Sequence, residues 1–304
     1  MTAANSKTMK ADLFKKAVLL TVTNHGWRNR RKANMAGVST DSDKNLLRLT
    51  KKLIEAEEYE EVMSYEAERK RWVEARCVPS YLQKGMYLVK TTEIENIDAA
   101  LVAANIEIKE KLAPKLIKVY PACKEMAKQP DKLGSLYREE DYPSESALAD
   151  SFGIEWQWIR LEVADNLPPK VKAKEIKKMQ AAIREAQAEI VLALRKGFGE
   201  LVERMVERLG KEEDGTPKKF KDSLVENFNE FFDTFDARNL MEDADLRNVV
   251  EQAKGILAKV KPESLRKNLS LRSGTQKKLA EVKQVVDELI KDAPTRRKLN
   301  FDNE

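Results

Sequence analysis

The chain has 304 residues, of which 35% are charged, 42% hydrophobic and 7% aromatic, with a formal net charge of +5. Glycine and proline number only 11 and 10, roughly 7% together against about 12% in average proteins. This composition excludes an all-β sandwich and a disordered chain, because the apolar fraction can fill a core. No run of 18 apolar residues occurs, so no membrane partner is expected.

In chain order, residues 16–23 are rich in apolar and β-branched types and read as a buried strand. Asn24-His25-Gly26 is turn chemistry, and a basic run with an aromatic head follows: Trp27, Arg28, Arg30, Arg31 and Lys32. From the capping candidates Ser39–Asp43 to about Arg76, Leu46, Leu49, Leu53, Ala56, Tyr59 and Met63 recur every three or four residues. That spacing predicts one long amphipathic helix. Val78-Pro79-Ser80 ends it, and Gly85–Lys90 reads as a short strand pairing with residues 16–23. Residues 93–119 are helical in period, with Pro114 as a kink or a division. Tyr120-Pro121 and Gln129-Pro130 bound a further short helix. Residues 144–151 read as another, and Ile154, Trp156 and Trp158 share one strand face.

From Lys170 to Leu209 the pattern resembles a coiled coil. Ile176, Met179, Ile183, Ala186 and Ile190 form a heptad seam. It shifts register through Leu194 and Phe198 to Leu201, Met205 and Leu209. Forty helical residues span about 60 Å, and such a rod needs something to cover its seam. Ile176, Met179, Ile183, Ile190, Leu194, Phe198, Leu201 and Met205 are therefore candidate oligomer or partner contacts. Helices follow at 217–236, 242–260 and 275–291. The first carries a phenylalanine stripe that can fold back on the rod as a hairpin. Residues 261–274 read as a basic linker.

The inventory limits chemistry. One histidine, His25, and two cysteines, Cys77 and Cys123, offer neither a zinc-ligand spacing nor a disulfide framework, and they fit a reducing cytoplasm. No phosphate-binding loop occurs, and Gly197-Phe198-Gly199 lies within a helical pattern. The Glu-x-Lys triplets at 107–109 and 175–177 lie on helical segments and read as solvated faces. No catalytic residue, metal or cofactor is expected.

The order of these pieces supports a resemblance. An apolar strand precedes Gly26-Trp27-Arg28-Asn29-Arg30-Arg31-Lys32. A charged helix then ends at Val78-Pro79-Ser80, a Gly85–Val89 strand follows, a helix ends near Tyr120, and Asp141-Tyr142-Pro143-Ser144 precedes an aromatic strand. Over about residues 12–170 the chain resembles a family of phage and plasmid proteins grouped as a domain of unknown function. The resemblance implies a mobile-element origin and the company of MoxR-like AAA+ ATPases. It implies no activity and no catalytic residues.

The expected fold is mainly α. Residues 1–168 form an α+β head with a small sheet, and residues 169–304 a helical-hairpin, coiled-coil or bundle tail. The expected function is a non-catalytic accessory protein of the host-cell cytoplasm. It would self-assemble as a homo-oligomer or act as adaptor for a partner such as an AAA+ ATPase. One alternative is binding of DNA or RNA through Trp27, Arg28, Arg30, Arg31 and Lys32, extended by Arg266, Lys267, Arg272, Lys277, Lys278, Arg296, Arg297 and Lys298. Another is a metal-dependent hydrolase built from scattered carboxylates. Charge distribution bears on this choice. Residues 1–40 carry a net +7, residues 41–258 carry −7 and residues 259–304 carry +5, so the small total conceals two basic ends around an acidic middle.

Overall fold

A computed structural model describes residues 13–34, 41–43, 46–82, 84–258 and 260–292. The fold is mainly helical with a small antiparallel sheet. The chain divides into two compact units that interleave along the sequence. The first comprises residues 1–20, 74–93 and 158–304, and the second residues 21–73 and 94–157. This differs from the boundary expected at 168/169, because strands near both ends of the expected head pack with the long helix of the expected tail.

In the first unit, α1 (Leu13–Lys16) leads into β1 (Ala17–His25), whose first half pairs antiparallel with β5 (Tyr87–Lys90), Ala17 opposite Lys90 and Leu20 opposite Tyr87. The two-residue β4 (Val78–Pro79) pairs with the other edge of β5. Apolar residues of these pieces, Leu13, Leu19, Val78 and Leu88, pack with Ile183, Ile190 and Leu240. Ile183 and Ile190 belong to α6 (Pro169–Leu209), a 41-residue helix that starts at a proline, where the missing N–H costs nothing.

The helices α7 (Ser223–Arg238), α8 (Ala244–Leu257), α9 (Pro262–Lys267) and α10 (Leu269–Lys291) complete this unit. Helix α10 lies along α6 and also packs on α8. At Gly199 an added Cβ would sit 3.2 Å from Val286 and 3.3 Å from Ile290. Glycine is therefore what lets α6 and α10 approach there. Phe198, Met205, Phe228, Phe235, Leu246, Leu279 and Val286 fill the core between these helices.

Two expectations are corrected here. The seam of α6 is covered by its own chain. Ile183 and Ile190 are buried with Met179 packed beside them, and Phe198 and Met205 are buried with Leu194 and Leu201 against the same core. Only Ile176 of the proposed contacts is exposed. Residues 261–274 are not a linker: they hold α9 and the start of α10. Asn268 caps α10 by accepting a hydrogen bond from the Leu271 N–H at 2.9 Å.

In the second unit, the rest of β1 lies beside β6 (Gly153–Ile159), giving the strand order β4-β5-β1-β6. A separate two-stranded ribbon pairs β2 (Arg30–Ala33) with β3 (Leu49–Lys52). Helices α2 (Glu57–Arg76), α3 (Ile94–Glu107), α4 (Ala113–Ala127) and α5 (Glu145–Asp150) surround an aromatic core. A π-helical turn, Ile108–Leu112, joins α3 to α4 immediately before Pro114. Helix α4 continues through Pro121, which was expected to bound it. The long helix expected from Asp43 instead starts at Glu57. Leu49 lies in β3, and Leu53 is buried just beyond it. Pairing with β2 overrides a spacing that either period could accommodate.

Candidate nucleic-acid interface

The ribbon's base is built by one residue. Asn29 is 4% exposed. Its Oδ1 accepts from the N–H groups of Leu53 (3.1 Å) and Ile54 (2.8 Å), and its Nδ2 donates to the Ile54 carbonyl at 2.8 Å. Its own N–H donates to the Tyr59 hydroxyl at 3.2 Å. This asparagine joins the chain entering β2 to the chain leaving β3. Beside it, Trp27 is 7% exposed and meets the rings of Tyr59 and Tyr120 edge-on at 6.0 Å. Trp27 therefore anchors the ribbon in the core and does not stack a base, contrary to the expectation for it.

Pairing sets the two faces of the ribbon. Arg30 lies opposite Lys52, Arg31 opposite Lys51, and Lys32 opposite Thr50. Arg31 and Lys51 share the inner face. Lys51 is buried, with its Nζ 2.5 Å from Asp141 and donating to the Leu136 carbonyl at 2.6 Å. Arg31 donates to the carbonyls of Arg28 (2.8 Å) and Arg30 (3.0 Å), and its Nε lies 4.0 Å from Asp141. Asp141 thus offsets one of the two positive charges on the inner face. Tyr142 beside it donates to the Leu53 carbonyl at 2.8 Å. Burial, aided by the charge of Asp141, pushes the Tyr142 hydroxyl up to about 12, so it remains a donor at neutral pH.

Among the described residues, the outer face carries a single ion pair. Arg30, Lys32, Thr50 and Lys52 are exposed on it, with exposed Arg28 and Arg48 at the strand ends. Lys52 lies 3.6 Å from Glu60. Among the described residues, Arg28, Arg30, Lys32 and Arg48 form no ion pair. Arg30 and Lys52 stand directly opposite, an arrangement of like charges that costs about 0.2–1 kcal/mol in an antiparallel pair. A bound polyanion would remove that cost.

The remaining candidates separate. Lys267, Lys277 and Lys278 are exposed on α9 and α10 of the first unit. Arg266 of the same unit pairs with Asp222 and lies over the Phe220 ring at 5.1 Å. Arg272 is not a surface cation. It is 5% exposed and donates to the carbonyls of Arg208 (2.7 Å), Leu209 (2.8 Å), Gly210 (3.3 Å) and Lys218 (2.5 Å), closing the C-terminal end of α6. Burial lowers its pKa from the ordinary arginine value. Arg296, Arg297 and Lys298 lie outside the described residues.

Arg48, Lys52 and Asn29 were not among the sequence candidates. Arg48 and Lys52 join the basic run only through strand pairing, which no local spacing announces. Among the described residues, no three His, Cys, Asp or Glu side chains come together as a metal-binding group. No described helix is long and apolar enough to cross a membrane. No family model, curated protein or solved structure matches the chain.

Proposed function

We propose that the chain is a non-catalytic nucleic-acid-binding accessory protein of a phage or related mobile element, acting in the host cytoplasm. The observation that carries this reading is the basic outer face of the ribbon, where Arg28, Arg30, Lys32 and Arg48 form no ion pair among the described residues and stand together with Lys52, which pairs with Glu60. A two-stranded ribbon is one of the two elements that the DNA major groove admits. Trp27 is in the core, so binding rests on phosphate contacts and not on base stacking.

The test is fluorescence anisotropy with duplex and single-stranded oligonucleotides across a salt series. Five phosphate contacts give a slope of log affinity against log salt of about −4.5 for duplex DNA. The double change Arg30→Ala, Lys32→Ala lowers the steepness by about two. The control pair Lys277→Ala, Lys278→Ala leaves it unchanged. Equal effects of the two pairs would remove the ribbon from this role.

A second reading is a protein partner, either another copy or an AAA+ ATPase. It is favoured by exposed Val171 and Ile176 near the start of α6, beside an open groove lined by Leu82, Leu161, Leu167 and Met179. In this reading α6 and α7 act as a helical hairpin tail. Light scattering that returns a strict monomer, together with no retention of the ATPase, would remove it.

A further inference from the structure

Arg238, at the C-terminal end of α7, is a cation without a counterpart. Its Nε is buried with no hydrogen-bond partner, and among the described residues no carboxylate forms an ion pair with it. Its guanidinium lies over the Phe231 ring, 4.8 Å from the centroid. Glu230 is the acidic group whose charge it feels, from two helical turns away. The ring and the distant Glu230 charge offset part of the desolvation, but the buried Nε–H loses its water and gains no acceptor, which is costly.

Two clefts meet at this side chain. One, of about 290 Å³, and the other, of about 320 Å³, are both lined by Gly197, Phe231 and Arg238. The first has apolar walls from Val78, Pro79, Ile190 and Leu194. Its one acidic lining residue, Glu74, accepts a hydrogen bond from the Tyr87 hydroxyl at 2.6 Å and is thereby engaged elsewhere. Gly197 sits mid-helix in α6, where a Cβ would meet nothing within 4 Å. A helix-interior glycine costs about 1 kcal/mol relative to alanine, and here the missing side chain leaves the mouth of both clefts open.

We propose that this cleft binds a small monocarboxylate with an apolar body, its carboxylate taken by Arg238 and its hydrocarbon laid against Phe231, Ile190 and Leu194. Arginine is suited to this because its planar fork matches a carboxylate in two parallel hydrogen bonds. The volume lies at the lower end of small-molecule sites and excludes a bulky ligand. The site lies within the first unit and is independent of the ribbon.

Isothermal titration calorimetry on the full chain tests this with hexanoate as probe and hexan-1-ol as the neutral analogue. A leucine-terminated tetrapeptide, with free or amidated C-terminus, distinguishes a free acid from a chain terminus. The expected result is saturable binding of hexanoate or of the free-carboxylate peptide, at least tenfold tighter than its neutral counterpart. Arg238→Gln abolishes that preference. Gly197→Leu, which keeps the charge and favours the helix, weakens binding at least tenfold while the thermal midpoint stays level or rises by a few degrees. Gly197→Leu decides the matter if Arg238→Gln does not fold. The proposal is overturned by no binding of either carboxylate up to about 10 mM, by equal binding of acid and alcohol, or by wild-type affinity in Gly197→Leu.

Discussion

Glu66 on α2 is fully buried, and its two carboxyl oxygens are unequally served. Oε1 accepts from the Gly153 N–H at 3.0 Å, at the start of β6, while Oε2 is buried with no partner. Burial raises its pKa from 4.5 to about 7, with the Gly153 hydrogen bond opposing. At about 1.4 kcal/mol per tenfold change, this is a preference of about 3 kcal/mol for the neutral form. The native value lies above the unfolded one, so the native state holds the proton more tightly. The contribution of Glu66 to stability is therefore highest below about pH 4.5, falls as pH rises towards 7, and levels off above it. Glu66→Gln keeps an oxygen acceptor for Gly153 and removes the titration. Urea unfolding followed by tryptophan fluorescence reads this unit well, since Trp27, Trp72 and Trp156 all lie in it. The stability difference between variant and wild type grows by about 3 kcal/mol between pH 4.5 and 7.5. A fixed offset, such as the unpaired amide of glutamine would produce, does not alter that slope. Parallel pH profiles would refute the placement of an ionisable, unpaired carboxyl at this position.

Asn29→Ala leaves the Leu53 and Ile54 N–H groups without their side-chain acceptor and costs about 2–4 kcal/mol in the same urea assay. It also weakens duplex binding more than its neutral charge would suggest, because the ribbon loses its base. Arg272→Ala strips the donor from four carbonyls at the end of α6 and lowers stability by about 2–4 kcal/mol. Arg272→Lys recovers only part of this, since an ammonium cannot reproduce the fork; thermal melts of the three proteins decide it. Asp243, at the N-cap of α8, is bound to Arg195 at 2.7 Å in a nearly buried pair. Burial acts to raise its pKa, but Arg195 and the capping N–H groups outweigh it and hold the carboxyl below the usual range. This contribution is present at neutral pH and lost as pH falls through the acid range. Asp243→Ala flattens that acid limb in hydrogen-exchange measurements of α8, at a cost of about 3–5 kcal/mol.

Helix α6 was legible to within a residue because forty positions without an interior proline carry one continuous apolar stripe. Strand β1 was legible because its apolar run is short and β-branched. Strand β3 was not. Leu-Thr-Lys-Lys has no alternation of its own, and its identity depends on β2, which lies about twenty residues upstream and carries an equally polar sequence. The start of α9 and α10 was signalled in retrospect by Pro262, which suits a first helical turn, and by Asn268, which suits a cap. A high local charge masked both. The candidate interface was half legible. Arg28, Arg30 and Lys32 are consecutive in one strand register, but which of the basic residues face outward depends on pairing. The roles of Trp27 and Arg272 as buried anchors follow only from three-dimensional packing.

The interleaving of the two units has a consequence during synthesis. The strands β1, β4 and β5 are complete once residue 90 has been made, yet Ile183 and Ile190, which cover their apolar residues, come about a hundred residues later. At about 5–20 residues per second this leaves Leu19, Val78 and Leu88 uncovered for roughly 5 to 20 s on every ribosome. The second unit has all of its own residues by position 157 and can close in that interval. The newborn chain thus carries a finished second unit and an uncovered apolar sheet face, a species suited to capture by a chaperone and vulnerable to association with a neighbouring nascent copy.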